Sequence, residues 1–185
     1  MSTGMTTIYL PDSEPRPEVS KLAPSPGSLE GLRIGVLDNG KPNAGFVLAY
    51  AAQQLAAGTG AQVTLVTKKG PYGMSANAAI PMARDIFSRL LDETDVVLTG
   101  MADCGSCTAY SVSDAIELEK AGKPAVVVTT TRFEPIAVTL SASFGLADVR
   151  KLVLPHPVGG TDEPTLREWV DEATGRVVSL LTTGA

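Results

Sequence analysis

The feature that most constrains this chain is an alternation that begins near residue 32 and runs almost to the C-terminus. Short runs rich in Val, Leu, Ile and Thr sit at 32–37, 62–67, 95–99, 125–130 and 151–154. Longer segments with apolar residues at helical spacing sit at 44–57, 77–91, 107–121, 134–144 and 165–181. Gly58, Gly100, Gly122 and Gly145 punctuate the pattern, as does Pro155. Pro81 falls in the first turn of the second helical segment, where proline is tolerated. The short runs are continuously apolar, as in strands covered on both faces. Five such strands alternating with five helices predict an α/β domain. The expected form is a three-layer, doubly wound parallel sheet of flavodoxin-like or Rossmann-like order over residues 31–185.

Residues 1–30 differ. They hold Pro11, Pro15, Pro17, Pro24 and Pro26 and end in Gly27-Ser28. Proline fixes φ and removes a backbone donor, so this stretch is expected to be an extended arm. Thr7, Ile8, Tyr9 and Leu10 suit a short edge strand. The arm either lies on its own domain or reaches a partner subunit, since Ile8, Tyr9 and Leu10 need cover.

Composition excludes some functions. The net charge is −5 and there is no Lys/Arg run to track a phosphate backbone, so nucleic-acid binding is not expected. No apolar run approaches the ~20 residues that span a bilayer. The first ten residues lack a basic start followed by an apolar stretch, which makes the cytoplasm the expected compartment. The two cysteines, Cys104 and Cys107, are three apart. In a reducing compartment that spacing points to redox, metal or nucleophilic chemistry.

In a doubly wound sheet, ligands bind outside the carboxyl ends of the strands. Those ends carry Asp38, Asn39, Lys41 and Asn43; Lys68 and Lys69; Asp103, Cys104, Ser106 and Cys107; Thr129, Thr130, Thr131 and Arg132; and His156, the only histidine. With strand order 2-1-3-4-5, the first and third strands are neighbours, and the Asp38–Asn43 loop faces the Cys104 loop.

Cys104 precedes a helix, and free N–H groups and the helix dipole favour an anionic sulfur there. Lys41, Lys68 or Arg132 would add positive charge. Asp103 opposes thiolate formation unless it caps the helix or moves protons. Four readings stand side by side. Cys104 attacks and Cys107 resolves by closing a disulfide; or Cys104 is a lone covalent nucleophile; or both thiolates and His156 hold zinc; or the pair is small packing in a tight turn. A second Cys pair is missing, so no metal is expected. Neither G-x-G-x-x-G nor G-x-x-x-x-G-K-[ST] follows the first strand, so no nucleotide cofactor is expected.

Asp38 and Asn39 either orient a substrate amine or amide or form a turn. Asn43 either contacts substrate or caps the next helix. Lys41 suits a carboxylate or phosphate, and Ser106, Thr130 and Thr131 offer hydroxyls. His156 lies between Pro155 and Pro157 and is a candidate acid or base for Cys104.

The stretch Ile34-Gly35-Val36-Leu37-Asp38-Asn39-Gly40-Lys41-Pro42-Asn43-Ala44, followed by Asp103-Cys104-Gly105-Ser106-Cys107-Thr108, resembles the UGSC family over about residues 30–158. That family is named for a selenocysteine-Gly-Ser-Cys motif in which cysteine often replaces selenocysteine. The resemblance implies that Cys104 occupies the selenocysteine position and is a reactive nucleophile. The family is distantly similar to subunits of the glycine and proline reductases, which cleave C–N bonds reductively. The expectation is a thiol oxidoreductase acting on a small-molecule electrophile and restored by a thiol or thioredoxin-like reductant. The alternatives are a Cys-dependent lyase, hydrolase or transferase, or a non-catalytic binding subunit. A homo-oligomer, or a heteromer with a paralogous subunit, is expected.

Overall fold

The computed structural model describes residues 20–68 and 78–183. Five parallel strands form one sheet in the order β2-β1-β3-β4-β5. They are β1 (Arg33–Asp38), β2 (Gln62–Thr67), β3 (Val96–Ala102), β4 (Ala125–Thr130) and β5 (Lys151–Leu154). The helices between and after them are α1 (Ala44–Ala57), α2 (Arg84–Glu93), α3 (Gly105–Lys120), α4 (Glu134–Ser143) and α5 (Glu163–Thr182). This is the flavodoxin-like arrangement, with β1 and β3 adjacent.

The apolar runs are continuous because both faces are covered, and successive side chains go to opposite layers. Ile34, Val36, Leu98, Val126, Val128 and Leu154 face one core, against Leu48 and Ala52 of α1 and Leu166 and Val170 of α5. Leu37, Val97 and Val127 face the other, against Leu90 of α2, Val112 and Ala115 of α3 and Ala137 of α4. The strands β3 and β4 are buried throughout. The edge strand β2 is largely exposed and shows Leu65 at 57% exposure.

Four boundaries differ from the sequence expectation. Helix α2 begins at Arg84, so Pro81 lies before it and not in its first turn. Asn77 is outside the described residues. Strand β3 continues through Gly100 to Ala102, and its register against β4 shifts between Thr99 and Ala102. A Cβ at position 100 would sit 2.9 Å from the Val128 carbonyl oxygen, so glycine lets the two backbones approach. It permits the strand to go on where its sequence suggested a stop. Helices α3 and α5 each start two residues early, at Gly105 and Glu163.

The latter part of the N-terminal arm lies on its own domain. Ala23 donates its N–H to Glu119 Oε2 at 2.6 Å and accepts from Arg150 Nη2 at 2.9 Å. Leu29 is buried in the α1/α5 core. The expected edge strand at Thr7, Ile8, Tyr9 and Leu10 lies outside the described residues.

Candidate active site

The loop after β1 is built as two opposed anchors, because consecutive residues leave a strand toward opposite layers. Asp38 takes the α1 side. Its Oδ1 accepts from the Gly40 N–H at 2.7 Å, and its carboxylate lies against Gly45. With Val36, Gly45, Leu65, Val66 and Thr67 it lines a cavity of about 240 Å³ beside β2. Gly40 has φ 78°, the left-handed turn that glycine adopts without steric cost. Asn39 takes the α3 side and is 1% exposed. Its Nδ2 donates to the Met101 carbonyl at 2.9 Å and to Ser111 Oγ at 3.2 Å, while Oδ1 accepts from the Lys41 N–H at 3.2 Å. The backbone adds Asn39 N–H to Gly100 O at 2.9 Å. Asn39 therefore clamps the β1 loop to the end of β3 and to α3. Burial and these partners give the Asn39 amide a positioning role in the loop.

Asn43 is the residue before α1 and has φ 63°, with no side-chain cap bond to that helix. Its Nδ2 donates to the carbonyls of Val158 and Thr161, each at 2.9 Å. The expected helix cap is thus a cross-loop tether. It draws the loop after β5 beside the loop after β1. Gly159 then sits near Pro42 and Asp103; a Cβ there would be 3.7 Å from Pro42 Cβ and 3.9 Å from Asp103 Oδ2.

Helix α3 opens at the carboxyl end of β3, and Cys104 is its N-cap. The backbone N–H of Cys107 points at Cys104 Sγ at 3.3 Å. Thr108 fixes the turn by donating its hydroxyl to the Cys104 carbonyl at 2.6 Å. Cys104 and Cys107 are joined as a disulfide with Cα atoms 5.3 Å apart. Cys104 is partly exposed and Cys107 is 2% exposed. Ser106 is exposed, with Oγ 3.8 Å from Cys104 Sγ.

Asp103 lies under this turn. Its side chain is 6% exposed, and Lys41 Nζ stands 3.8 Å from Oδ1, beyond hydrogen-bond length. Oδ1 is buried and accepts no hydrogen bond from the described residues. One carboxylate oxygen of Asp103 and the two sulfurs lie within 4.8 Å of one another. The first and third strands thus bring Lys41, Asp103, Cys104 and Cys107 together.

The other candidates are placed apart or differently. Lys68 is corrected as a source of charge for Cys104. It is 3% exposed and bound to Asp114 Oδ2 at 2.7 Å and to the Ile80 carbonyl at 2.5 Å. Burial raises the Asp114 carboxyl above its ordinary value, against the pull of Lys68. Lys69 lies outside the described residues. Thr129 is buried and donates to the Ala102 carbonyl at 2.9 Å, which ties β4 to the irregular end of β3. Thr130 is also buried, with Oγ1 3.1 Å from His156 Nδ1. The His156 ring rests near Phe133, centroids 5.6 Å apart. His156 does not join the cluster formed by Asp103 and the two sulfurs. Thr131 and Arg132 are exposed at the start of the loop into α4.

One position that holds the site was not singled out in the sequence: Ser111, whose Oγ accepts from the Asn39 amide. A serine one turn below Cys107 looks like any small helix residue, and its role needs the β1–α3 contact to be seen.

The model of the UGSC family matches residues 7–183, nearly the whole chain. The chain belongs to the UGSC family. The match extends beyond the region that carried the two motifs, into the N-terminal arm and α5. No curated protein matches the UGSC chain. Among the described residues no helix is long and apolar enough to cross a membrane.

Proposed function

We propose that this UGSC protein is a thiol oxidoreductase in which Cys104 is the nucleophile and Cys107 the resolving thiol. One observation carries the reading: the partly exposed Cys104 caps α3 and is disulfide-bonded to Cys107, which is buried one turn on. Substrate can reach the first sulfur, and the second sulfur can reach only the first. The N–H of Cys107 at Cys104 Sγ and the positive end of α3 favour the thiolate over the thiol.

In the dithiol form, Cys104 thiolate attacks an electrophilic atom of a small molecule, and the leaving group departs with the bonding pair. Cys107, its proton passed to Asp103 or water, attacks Cys104 Sγ. The substrate fragment leaves with the second pair and takes up a proton. The substrate gains two electrons, and the pair ends as the Cys104–Cys107 disulfide. A thiol or thioredoxin-like dithiol returns it to the reduced form. Lys41 at the mouth attracts an anionic group of the substrate. Thr131 and His156 bound the β4–β5 side of the crevice, Thr130 holds the His156 ring from below, and Asn39 and Asn43 hold the loops that shape it.

The test is turnover of a small aromatic disulfide with excess dithiol reductant. Wild-type protein releases aryl thiolate over many cycles. Cys107→Ser, reduced and then freed of the dithiol, releases one equivalent and keeps a mixed disulfide on Cys104, seen as a mass increase on that peptide. Absence of that adduct, in a Cys107→Ser protein as active as the wild type, would overturn the redox reading and favour a Cys-nucleophile lyase, hydrolase or transferase. Multiple turnover by Cys104→Ser would leave the loop as a binding element.

A further inference from the structure

We propose that the reduced protein binds one borderline-soft divalent cation of the zinc class through Cys104 Sγ, Cys107 Sγ and the Asp103 carboxylate. The site is independent of whether the pair turns over a substrate, although both use the same sulfurs.

The first observation is the donor set. Two sulfurs and a carboxylate oxygen lie within 4.8 Å of one another, and His156 is not among them. Tetrahedral zinc with Zn–S near 2.3 Å and Zn–O near 2.1 Å needs its ligands about 3.5–3.8 Å apart. Side-chain rotation alone spans that difference. The cysteines are the ends of one helical turn, with Cα atoms 5.3 Å apart, so reduction lets the sulfurs separate without moving the backbone.

The second observation concerns Asp103 alone. Its side chain is 6% exposed and its Oδ1 accepts no hydrogen bond from the described residues. A buried carboxylate oxygen normally has a partner. Lys41 Nζ at 3.8 Å neutralises the charge in part but does not supply the bond. A cation held by the two sulfurs would. Lys41 is 28% exposed, so its ammonium can move to water when the dication enters. Three protein ligands leave one tetrahedral position open, as in zinc sites that bind a water or an exogenous ligand.

The disulfide and the metal are mutually exclusive. When a small disulfide oxidises the site, two electrons pass from the two thiolates to it. It leaves as two thiols or thiolates, the Cys104–Cys107 bond forms, and the cation is released to solvent. Occupancy would therefore report the redox state of the pair.

The experiment uses the full chain, reduced with a phosphine under argon and titrated with Co²⁺, then with Zn²⁺. The expected result is one Co²⁺ per chain, with a thiolate-to-cobalt charge-transfer band and tetrahedral d–d bands. Zn²⁺ bleaches them, and a small disulfide abolishes them. Asp103→Asn is expected to weaken Co²⁺ binding at least about tenfold. Lys41→Gln is expected to tighten it by up to about tenfold, by removing a like charge a few ångströms from the ion. Absence of stoichiometric binding, or bands that survive oxidation, overturns the proposal. So does an Asp103→Asn protein that binds as the wild type does. If that variant does not fold, unchanged affinity in Lys41→Gln overturns it and tighter binding supports it. The bands are read without substrate, so they stand or fall separately from disulfide turnover.

Discussion

At the scale of single residues, Asn39 shows how a polar side chain can be essential to a site without facing it. Its amide satisfies the Met101 carbonyl, Ser111 Oγ and the Lys41 N–H. Replacing it by alanine leaves a buried carbonyl and a loop N–H without those partners, in a place water reaches poorly. Such an unmade bond costs about 1–3 kcal/mol per buried group. Asn39→Ala is therefore expected to lower stability by about 2–4 kcal/mol in a urea titration. Ser111→Ala, which removes one shared bond, is expected to cost about 1 kcal/mol. If Asn39 were chiefly a substrate ligand, its alanine variant would melt with the wild type. The sequence placed Asn39 at the correct strand end, but it could not say which layer the amide enters. That follows from strand alternation: Leu37 faces α3, Asp38 faces α1, and Asn39 returns to α3.

At the scale of elements, the sheet was legible because its strands are continuous apolar runs, and continuous runs need cover on both faces. The class allowed more than one strand order; the observed β2-β1-β3-β4-β5 makes β1 and β3 neighbours and brings the Asp38 and Cys104 loops together. Helix ends were less legible. Helix α2 was expected from residue 77, yet it starts at Arg84, because apolar spacing near Pro81 resembles a helix that the backbone does not form there. Helix α5 starts at Glu163, with Asp162 capping it by accepting the Thr165 N–H at 3.1 Å. The bonds from the Thr165 backbone and hydroxyl hold the Asp162 carboxyl below its ordinary value. Asp95 is likewise lowered, first by its side-chain bonds to Arg33, with Arg33 Nη2 at 2.7 Å from Oδ1. Both groups keep their charge in the fold to lower pH than in the unfolded chain. Each thus adds stability that is fully present above the unfolded aspartate pKa and is lost as pH falls through the folded one. Asp95→Asn and Asp162→Asn are expected to lower the melting temperature at pH 7 and to flatten its fall below about pH 4. A pair of melting curves per variant, parallel to the wild type through the acid range, would contradict this.

At the scale of the whole molecule, the arm and the sheet are joined by a buried charge pair, one member of which lies at the far end of the helix that Cys104 caps. Among the described residues, Arg150 is the largest fully buried side chain. It bonds Glu119 Oε1 through Nη1, the Leu180 carbonyl at 2.8 Å, the Ala23 carbonyl at 2.9 Å and Ser25 Oγ at 2.9 Å. Glu119 also accepts the N–H groups of Ala23 at 2.6 Å and Ala125 at 2.9 Å. One pair therefore fastens the arm, the end of α3, the start of β4 and the end of α5. A buried pair can be no better than apolar packing, because both charges lose water. Removing only one partner is different, since the other charge stays buried and unpaired. Arg150→Met is therefore expected to cost about 3–5 kcal/mol, and the double variant Arg150→Met/Glu119→Leu to recover part of that loss. The recovery is incomplete because the N–H groups of Ala23 and Ala125 lose their acceptor in the double variant. Chemical denaturation of the three proteins measures the difference. A double variant no more stable than Arg150→Met would mean that these backbone bonds, and not the charge, hold the arm. Protease cleavage within residues 20–30 separates the two cases further. Loss of the pair exposes the arm to cutting at concentrations of protease that leave the wild-type sheet and its cysteine turn intact.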